Sequence, residues 1–130
     1  MSITRRVLLC APAVPLLLSP ARAQCSGVNI TVNGSSQAPT VLAGTPLAIA
    51  VFNGPAKPTD WVGISLVETP DDAVIERCYL NGAQTPPPVG LRFANFTMTA
   101  PTNMWIYEAR LYFENTFSIL ARATFVVHTA

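Results

Sequence analysis

Short runs of alternating residues, separated by clusters of Gly, Pro, Asn and Asp, most constrain how this 130-residue chain can fold. Residues 28–32 place apolar side chains at every second position, and residues 46–52 repeat this over a longer run. A period of two is typical of a half-buried β-strand. The chain after residue 24 shows no 3.6-residue period of the kind an amphipathic helix requires. The sequence therefore predicts an all-β fold.

Further strands are predicted between Gly-rich, Pro-rich and Asn-rich segments. The Asn81-Gly82 pair predicts a tight turn, and three prolines at 86–88 predict an extended crossover. In the strand that follows, we expect Leu91, Phe93 and Phe96 to point inward. These strands are expected at residues 61–67, 74–80, 91–98, 105–113 and 117–127. With the first two they make seven, which indicates a two-sheet, immunoglobulin-like antiparallel sandwich.

The first 23 residues have the three parts of a secretory signal peptide. Arg5 and Arg6 make the start basic, residues 7–18 are almost wholly apolar, and residues 21–23 spell an A-x-A cleavage site. The apolar run is shorter than the roughly 20 residues that a membrane-spanning helix needs. We therefore expect cleavage after residue 23, a single mature domain at 24–130 without a membrane span, and a periplasmic or extracellular location.

Two export routes fit this leader. Residues 4–9, TRRVLL, are similar to the twin-arginine motif, whose cargo crosses the membrane already folded. A basic segment of this kind also serves ordinary secretion, in which the chain crosses unfolded. The sequence leaves both routes open.

The charge of the predicted mature chain excludes one large class of partners. Five basic and seven acidic residues follow residue 23, which gives a net charge of −2. No basic patch is present to neutralise phosphates, so nucleic-acid binding is not expected. No cofactor motif is present either, and we expect none to be bound.

Cys25 and Cys78 are the two cysteines that remain after cleavage. An even number of cysteines in an exported domain favours pairing, so we predict a disulfide between them. The alternative is two buried free thiols.

Several segments resemble secreted bacterial immunoglobulin-like modules. Residues 41–47, VLAGTPL, are similar to their V-x-x-G-x-x-L entry, and residues 60–64, DWVGI, to their D-W-[VI]-G-[IL] segment. A similar segment occurs in SKICH domains and in the N-terminal sandwich of purple acid phosphatases. The resemblance extends over most of residues 39–127. It implies a sandwich with a binding or accessory role and no catalytic centre of its own.

Three residues are expected to support the fold rather than to bind a ligand. Trp61 should pack between the sheets, and Asp60 should cap the preceding loop by accepting hydrogen bonds from backbone amides. Tyr107 is placed to form a tyrosine corner, in which the phenol bonds the backbone a few residues upstream.

The remaining polar residues do not form a catalytic or metal-binding pattern. Asp71, Asp72 and Glu76 make the main acidic cluster, which is read as a solvated edge rather than a calcium site. A copper site from His128 and two methionines lacks any supporting spacing. The closing hairpin carries charges at alternate positions, which is typical of a strand surface. We therefore expect Glu108, Arg110 and Arg122 to point outward and to pair across the two strands.

The expected function is therefore binding. The first hypothesis is an exported, non-enzymatic domain that engages a protein partner. The alternative is a carbohydrate-binding module that stacks sugars on exposed aromatic rings. Trp105, Tyr112 and Phe113 are the candidate ligand contacts, and their exposure distinguishes the two hypotheses.

Overall fold

The computed structural model describes residues 27–129, which form eight strands and no helix. The predicted signal peptide and Cys25 lie outside the described residues. No helix among residues 27–129 is long and apolar enough to cross a membrane. The strands are β1 (Asn29–Val32), β2 (Gln37–Leu42), β3 (Pro46–Phe52), β4 (Trp61–Leu66), β5 (Glu76–Tyr79), β6 (Ala94–Thr99), β7 (Trp105–Tyr112) and β8 (Ile119–His128).

The strands form two sheets, consistent with the predicted sandwich. The smaller sheet has the order β1-β3-β6, and the larger sheet has the order β2-β8-β7-β4-β5. All neighbouring strands pair antiparallel except β2 and β8, which run parallel. Consecutive strands therefore often lie in different sheets, and the chain crosses between them at both ends.

The core fills the space between the sheets and follows the alternation read from the sequence. In β3, Leu47, Ile49 and Val51 are buried while their neighbours are exposed or half-buried. In β8, Phe125 and Val127 are buried and join the same cluster. Each fully buried side chain of this size contributes about 1.5–3 kcal/mol to folding. The alternating strands therefore account for the hydrophobic core.

The sequence is wrong about the number of strands and about one inward side chain. It does not predict β2, because this strand contains Pro39 and a register shift between Gln37 and Thr40, which interrupt the alternation. Phe93 is 59% exposed rather than inward, because β6 begins only at Ala94. The inward positions of β6 are consequently Ala94, Phe96 and Met98.

The loops after β3 and after β5 are pressed together at one end of the molecule. A Cβ on Gly90 would overlap the carbonyl oxygen of Ala56, so no residue with a side chain fits here without a shift of the backbone. Nearby, the Gly54 amide donates to the Arg92 carbonyl at 2.9 Å. Glycine at position 90 therefore lets two backbones approach where a larger residue would separate them.

Candidate interaction surfaces

Trp61 is buried, but it does not lie between the sheets as expected. Val62 and Ile64 point into the core, so Trp61 points to the outer face of the larger sheet. There its ring stacks on Tyr112, with centroids 4.0 Å apart, and the Arg77 guanidinium covers it at 4.1 Å. The indole N–H donates to the Thr116 carbonyl at 3.1 Å. A second buried layer therefore covers this outer face.

Gly63 gives this layer the room it needs. It lies between Arg77 and Arg110 in the sheet register. A Cβ at Gly63 would come within 2.8 Å of Val74 and within 3.1 Å of the Trp61 ring. The connection between β4 and β5 therefore packs directly on the sheet at this position.

Arg110 fastens the same connection to the outer face. Its guanidinium is fully buried and donates to the carbonyls of Thr69 at 2.9 Å and Pro70 at 2.8 Å. Its Nε donates to Glu108 Oε2 at 2.6 Å, and the Arg122 Nη1 donates to the same oxygen at 2.7 Å. Glu108 and Arg110 do alternate outward, but they are buried beneath this connection instead of exposed on the strand surface.

Hydrogen bonds within this cluster favour the charged form of the Arg110 guanidinium. Burial lowers the pKa of Arg110, but the bonds to Tyr112 and Glu108 outweigh burial, and the pKa lies above its usual value. Asp71, on the rim, pairs loosely with Arg122 at 3.6 Å. Because the Arg110 guanidinium is fully buried and its donors are taken up by Glu108, Thr69 and Pro70, we interpret it as a structural clamp and not as a binding site.

Asp60 joins two loops at one end of the sandwich. Its carboxylate accepts the Lys57 amide on one oxygen at 3.1 Å and the Glu114 amide on the other at 2.8 Å. The bond from Lys57 is the loop cap predicted from the sequence. Glu114 is 54 residues further along the chain than Asp60, and the sequence does not predict the bond between them.

Tyr107 is buried at the start of β7, and its hydroxyl donates to the Asn103 carbonyl at 2.8 Å. The acceptor lies four residues upstream, which is the geometry expected of a tyrosine corner. The ring also lies over Phe125 in the core, with centroids 5.8 Å apart. Tyr107 therefore fixes the entry to β7.

The three candidate aromatic contacts do not form one surface. Tyr112 is fully buried against Trp61, so the expectation that it contacts a ligand is wrong. The connection after β4 covers this face, which a sequence pattern does not reveal. Phe113 is half-buried in the turn after β7, where its amide bonds the Ser118 carbonyl. Trp105 is 61% exposed at the opposite end of β7.

Trp105 instead belongs to an apolar patch that the sequence reading missed. Its neighbours Met104 and Ile106 are 63% and 43% exposed. Leu42 is also exposed, and it lies on the other side of β8, which pairs with both β2 and β7. Side chains alternate along a strand, so Leu42 and Ile106 lie on the outer side of the larger sheet, while Trp105, opposite the buried Val127, lies on its core-facing side. We call Leu42, Met104, Trp105 and Ile106, which surround this end of the sheet, the apolar patch. The sequence signal was the M-W-I run, three large apolar residues in a row where a half-buried strand would alternate.

Cys78 is buried in β5, and burial with the nearby Glu76 carboxylate raises the pKa of its thiol to about 11. The thiol is therefore protonated at neutral pH and is a weak nucleophile. Its predicted partner, Cys25, lies outside the described residues, so the disulfide stays a prediction. Within residues 27–129, no group of three or more His, Cys, Asp or Glu side chains is placed to hold a metal ion.

No family model matches the chain, and a search of curated proteins found no match.

Proposed function

We propose that this chain is an exported immunoglobulin-like domain that binds a protein partner through the apolar patch and has no catalytic centre of its own. The export part of this proposal rests on the leader described above. The binding part rests on the exposure of Met104, Trp105 and Ile106, three consecutive large apolar side chains in one short stretch.

Strand order supports an immunoglobulin-like topology. β1, β3 and β6 correspond in order to the first, second and fifth strands of such a sandwich, and β8, β7 and β4 to its opposite sheet. The first strands divide between the sheets, since β1 pairs with β3 while β2 pairs with β8. The Tyr107 bond to Asn103 is a further feature of this fold.

The chemistry of the apolar patch favours a protein partner. Exposed apolar clusters mark sites of interaction. Protein interfaces are enriched in Trp and Met, and Trp frequently carries a large share of the binding energy. The patch contains no charged residue, so its partner should present an apolar surface as well.

The alternative, a carbohydrate-binding module, has less support from the same residues. A sugar platform needs several exposed rings in a row, and Tyr112 is buried while Phe113 is half-buried. Trp105 alone offers one stacking surface. We therefore favour the protein partner.

Site-specific photo-crosslinking in the producing cell tests this proposal. A photoreactive amino acid replaces Met104 in one variant and Phe93 in another, since the two residues have similar exposure, 63% and 59%. We expect a discrete protein adduct from position 104 and none from position 93. Adding Trp105→Ser to the first variant should reduce the adduct at least roughly tenfold, because a Trp contact of this kind is worth 2 kcal/mol or more.

Two results would contradict the proposal. Equal adducts at positions 104 and 93 would mean that crosslinking only follows exposure. Binding of the purified protein to a polysaccharide, lost in Trp105→Ser, would establish the carbohydrate alternative instead.

A further inference from the structure

The two sheets end in four edge strands, and three of these edges are blocked against further pairing. β2 carries Pro39 and a register shift. β5 is covered by the following turn, because Gln84 donates to the Arg77 carbonyl at 2.7 Å and the Tyr79 amide donates to the Ala83 carbonyl at 2.9 Å. β1 is only four residues long. Prolines, irregular register, short strands and covering loops are the usual means by which proteins protect sheet edges.

β6, the remaining edge, is longer and regular, and the turn after β5 contacts it on its core-facing side, where a Cβ on Gly82 would lie 3.3 Å from the Phe96 Cβ. Its six residues, ANFTMT, include no proline and no charged side chain. Its pairing with β3 runs without a register shift, from Pro46 opposite Thr99 to Val51 opposite Ala94. An uncharged, regular edge of this length is a template for another strand.

The direction of the β6 backbone groups follows from the contacts of Ala48. The Ala48 amide donates to the Asn33 side chain, and its carbonyl accepts from the Asn33 amide, both at 2.8 Å. Both groups of Ala48 therefore point toward β1. In an antiparallel pair, bonded and non-bonded positions alternate, so Thr97, opposite Ala48, directs its own amide and carbonyl away from β3.

The same alternation applies along the strand. Asn95 and Thr99, two positions to either side of Thr97, also direct their backbone groups to the open edge. All three residues are exposed, and within residues 27–129 no bond to their backbone groups is found beyond the sheet. β6 therefore presents three amides and three carbonyls in a row.

We propose that β6 pairs antiparallel with β6 of a second copy of this chain, which joins two three-stranded sheets into one of six strands. With Thr97 opposite Thr97 of the second copy, Asn95 falls opposite Thr99, and every outward amide meets an outward carbonyl. Phe96 then falls opposite Met98 on the core side. The strand is thus complementary to itself in both its backbone and its two faces.

We favour a second copy as the partner because its own β6 presents the same uncharged edge, without a proline or a register shift. No charge on β6 opposes self-pairing, whereas like charges placed directly opposite are destabilising. Thr opposite Thr is itself a favourable cross-strand pair. This contact is separate from the apolar patch, so either proposal can fail without the other.

Substitutions at Thr97 test the contact without disturbing the fold. Thr97→Pro removes an amide that makes no bond within the sheet, and proline is tolerated at such edge positions. Analytical ultracentrifugation of the purified exported protein should give a dimer that dissociates on dilution. We expect Thr97→Pro to raise the dissociation constant at least roughly tenfold while the melting temperature stays near wild type.

A charge exchange gives a stricter test. Thr97→Asp and Thr97→Lys should each be monomeric, because the symmetric pairing places like charges opposite each other. An equal mixture of the two should form a dimer again, since Asp then faces Lys. A merely structural role for Thr97 would not produce this recovery.

A cysteine pair fixes the register. Thr97→Cys should form an intermolecular disulfide on mild oxidation, because directly opposite Cα atoms in a bonded pair are about 5.5 Å apart. Thr99→Cys is the matched control on the same strand and face, and it should not crosslink, because Thr99 faces Asn95 in the proposed register. A wild-type protein that is monomeric at high micromolar concentration would overturn the proposal. Equal crosslinking of both variants would also overturn it, and so would pairing of β6 with a different protein.

Discussion

At the residue scale, the sequence correctly predicts that Trp61 is buried but assigns its side chain to the wrong face of the larger sheet. The segment from Trp61 to Ser65 is buried at every position. Both faces of such a strand are apolar or small, so the alternation that usually separates core from surface is absent. Only the packing of the connection after β4 over Gly63 identifies the second buried layer.

We expect Trp61→Ala to lower the free energy of unfolding by about 3–5 kcal/mol, the usual cost of removing a large buried aromatic side chain. The change removes the stack with Tyr112, the contact with Arg77 and the bond to Thr116. Chemical denaturation measures the difference. Trp105→Ala is the matched control, and because Trp105 is largely exposed its effect should stay within about 0.5 kcal/mol.

Similar losses in the two tryptophan variants would contradict this assignment, because removing a buried and an exposed tryptophan would then cost the same free energy of unfolding.

Asp60 also has a wider structural role than the sequence predicts. A single amide oxygen would suffice to cap one loop, but Asp60 accepts two backbone amides on two different oxygens. Asp60→Asn can keep only one of these bonds, so it is less conservative than the sequence suggests.

At the scale of the strand and loop, the charged residues of β7 hold the connection after β4. Glu108 and Arg110 are two residues apart on one face, where the closing hairpin would ordinarily meet water. Instead, Arg110 donates to backbone carbonyls 40 and 41 residues earlier in the chain. A local sequence pattern indicates outward charges but cannot show which distant loop will cover them.

Arg110→Met should release this connection. The change leaves the carbonyls of Thr69 and Pro70 without their donor and Glu108 without its buried partner, and we expect a loss of about 3–5 kcal/mol. Hydrogen exchange at residues 67–75 should accelerate more than in the rest of the sheet. Arg122→Met removes a half-exposed partner of the same carboxylate and should cost roughly 1 kcal/mol or less. If exchange rose equally in both variants, Arg110 would not be the clamp.

How far the sequence predicts each strand depends on its pattern. The bounds of β3 coincide with residues 46–52, because Leu47, Ile49 and Val51 alternate strictly and a proline and a loop flank them. β2 escapes prediction because Ala38 has a positive φ of 54° and the strand pairs through a register shift. The apolar patch and the open edge of β6 depend on which faces and edges remain uncovered, and that is decided by the packing of distant segments.

At the scale of the whole molecule, if the chain is exported as we propose, the order of folding and export determines the state of Cys78. In the folded domain its thiol is buried and its pKa is raised to about 11, so reaction with another thiol is slow. A chain that crosses the membrane unfolded would expose Cys78 to the oxidising compartment before the sheet closes. A chain exported already folded would present it buried.

We expect the exported protein to begin at Gln24 and to contain a Cys25–Cys78 disulfide. Intact mass spectrometry, with alkylation before and after reduction under denaturing conditions, measures both. The unreduced protein should take up no alkylating reagent, and reduction should add two equivalents. Retention of Met1 would contradict cleavage, and two free thiols would contradict the disulfide.

The same experiment on a chain with Arg5→Lys and Arg6→Lys separates the export routes. Loss of export identifies the twin-arginine route, whereas unchanged export identifies ordinary secretion. An intact disulfide combined with twin-arginine export would mean that pairing occurs despite burial of Cys78 in the folded domain.

The position of β8 in the larger sheet has a consequence for biosynthesis. β8 is the last strand in residues 27–129, yet it lies between β2 and β7 and joins them. Until the ribosome has released residues 119–128, β2 has no neighbour in its sheet, and Phe125 and Val127 are missing from the core. Before β8 is available the chain therefore lacks part of its hydrophobic core, and we expect the apolar surface exposed at that stage to favour aggregation and chaperone binding during synthesis.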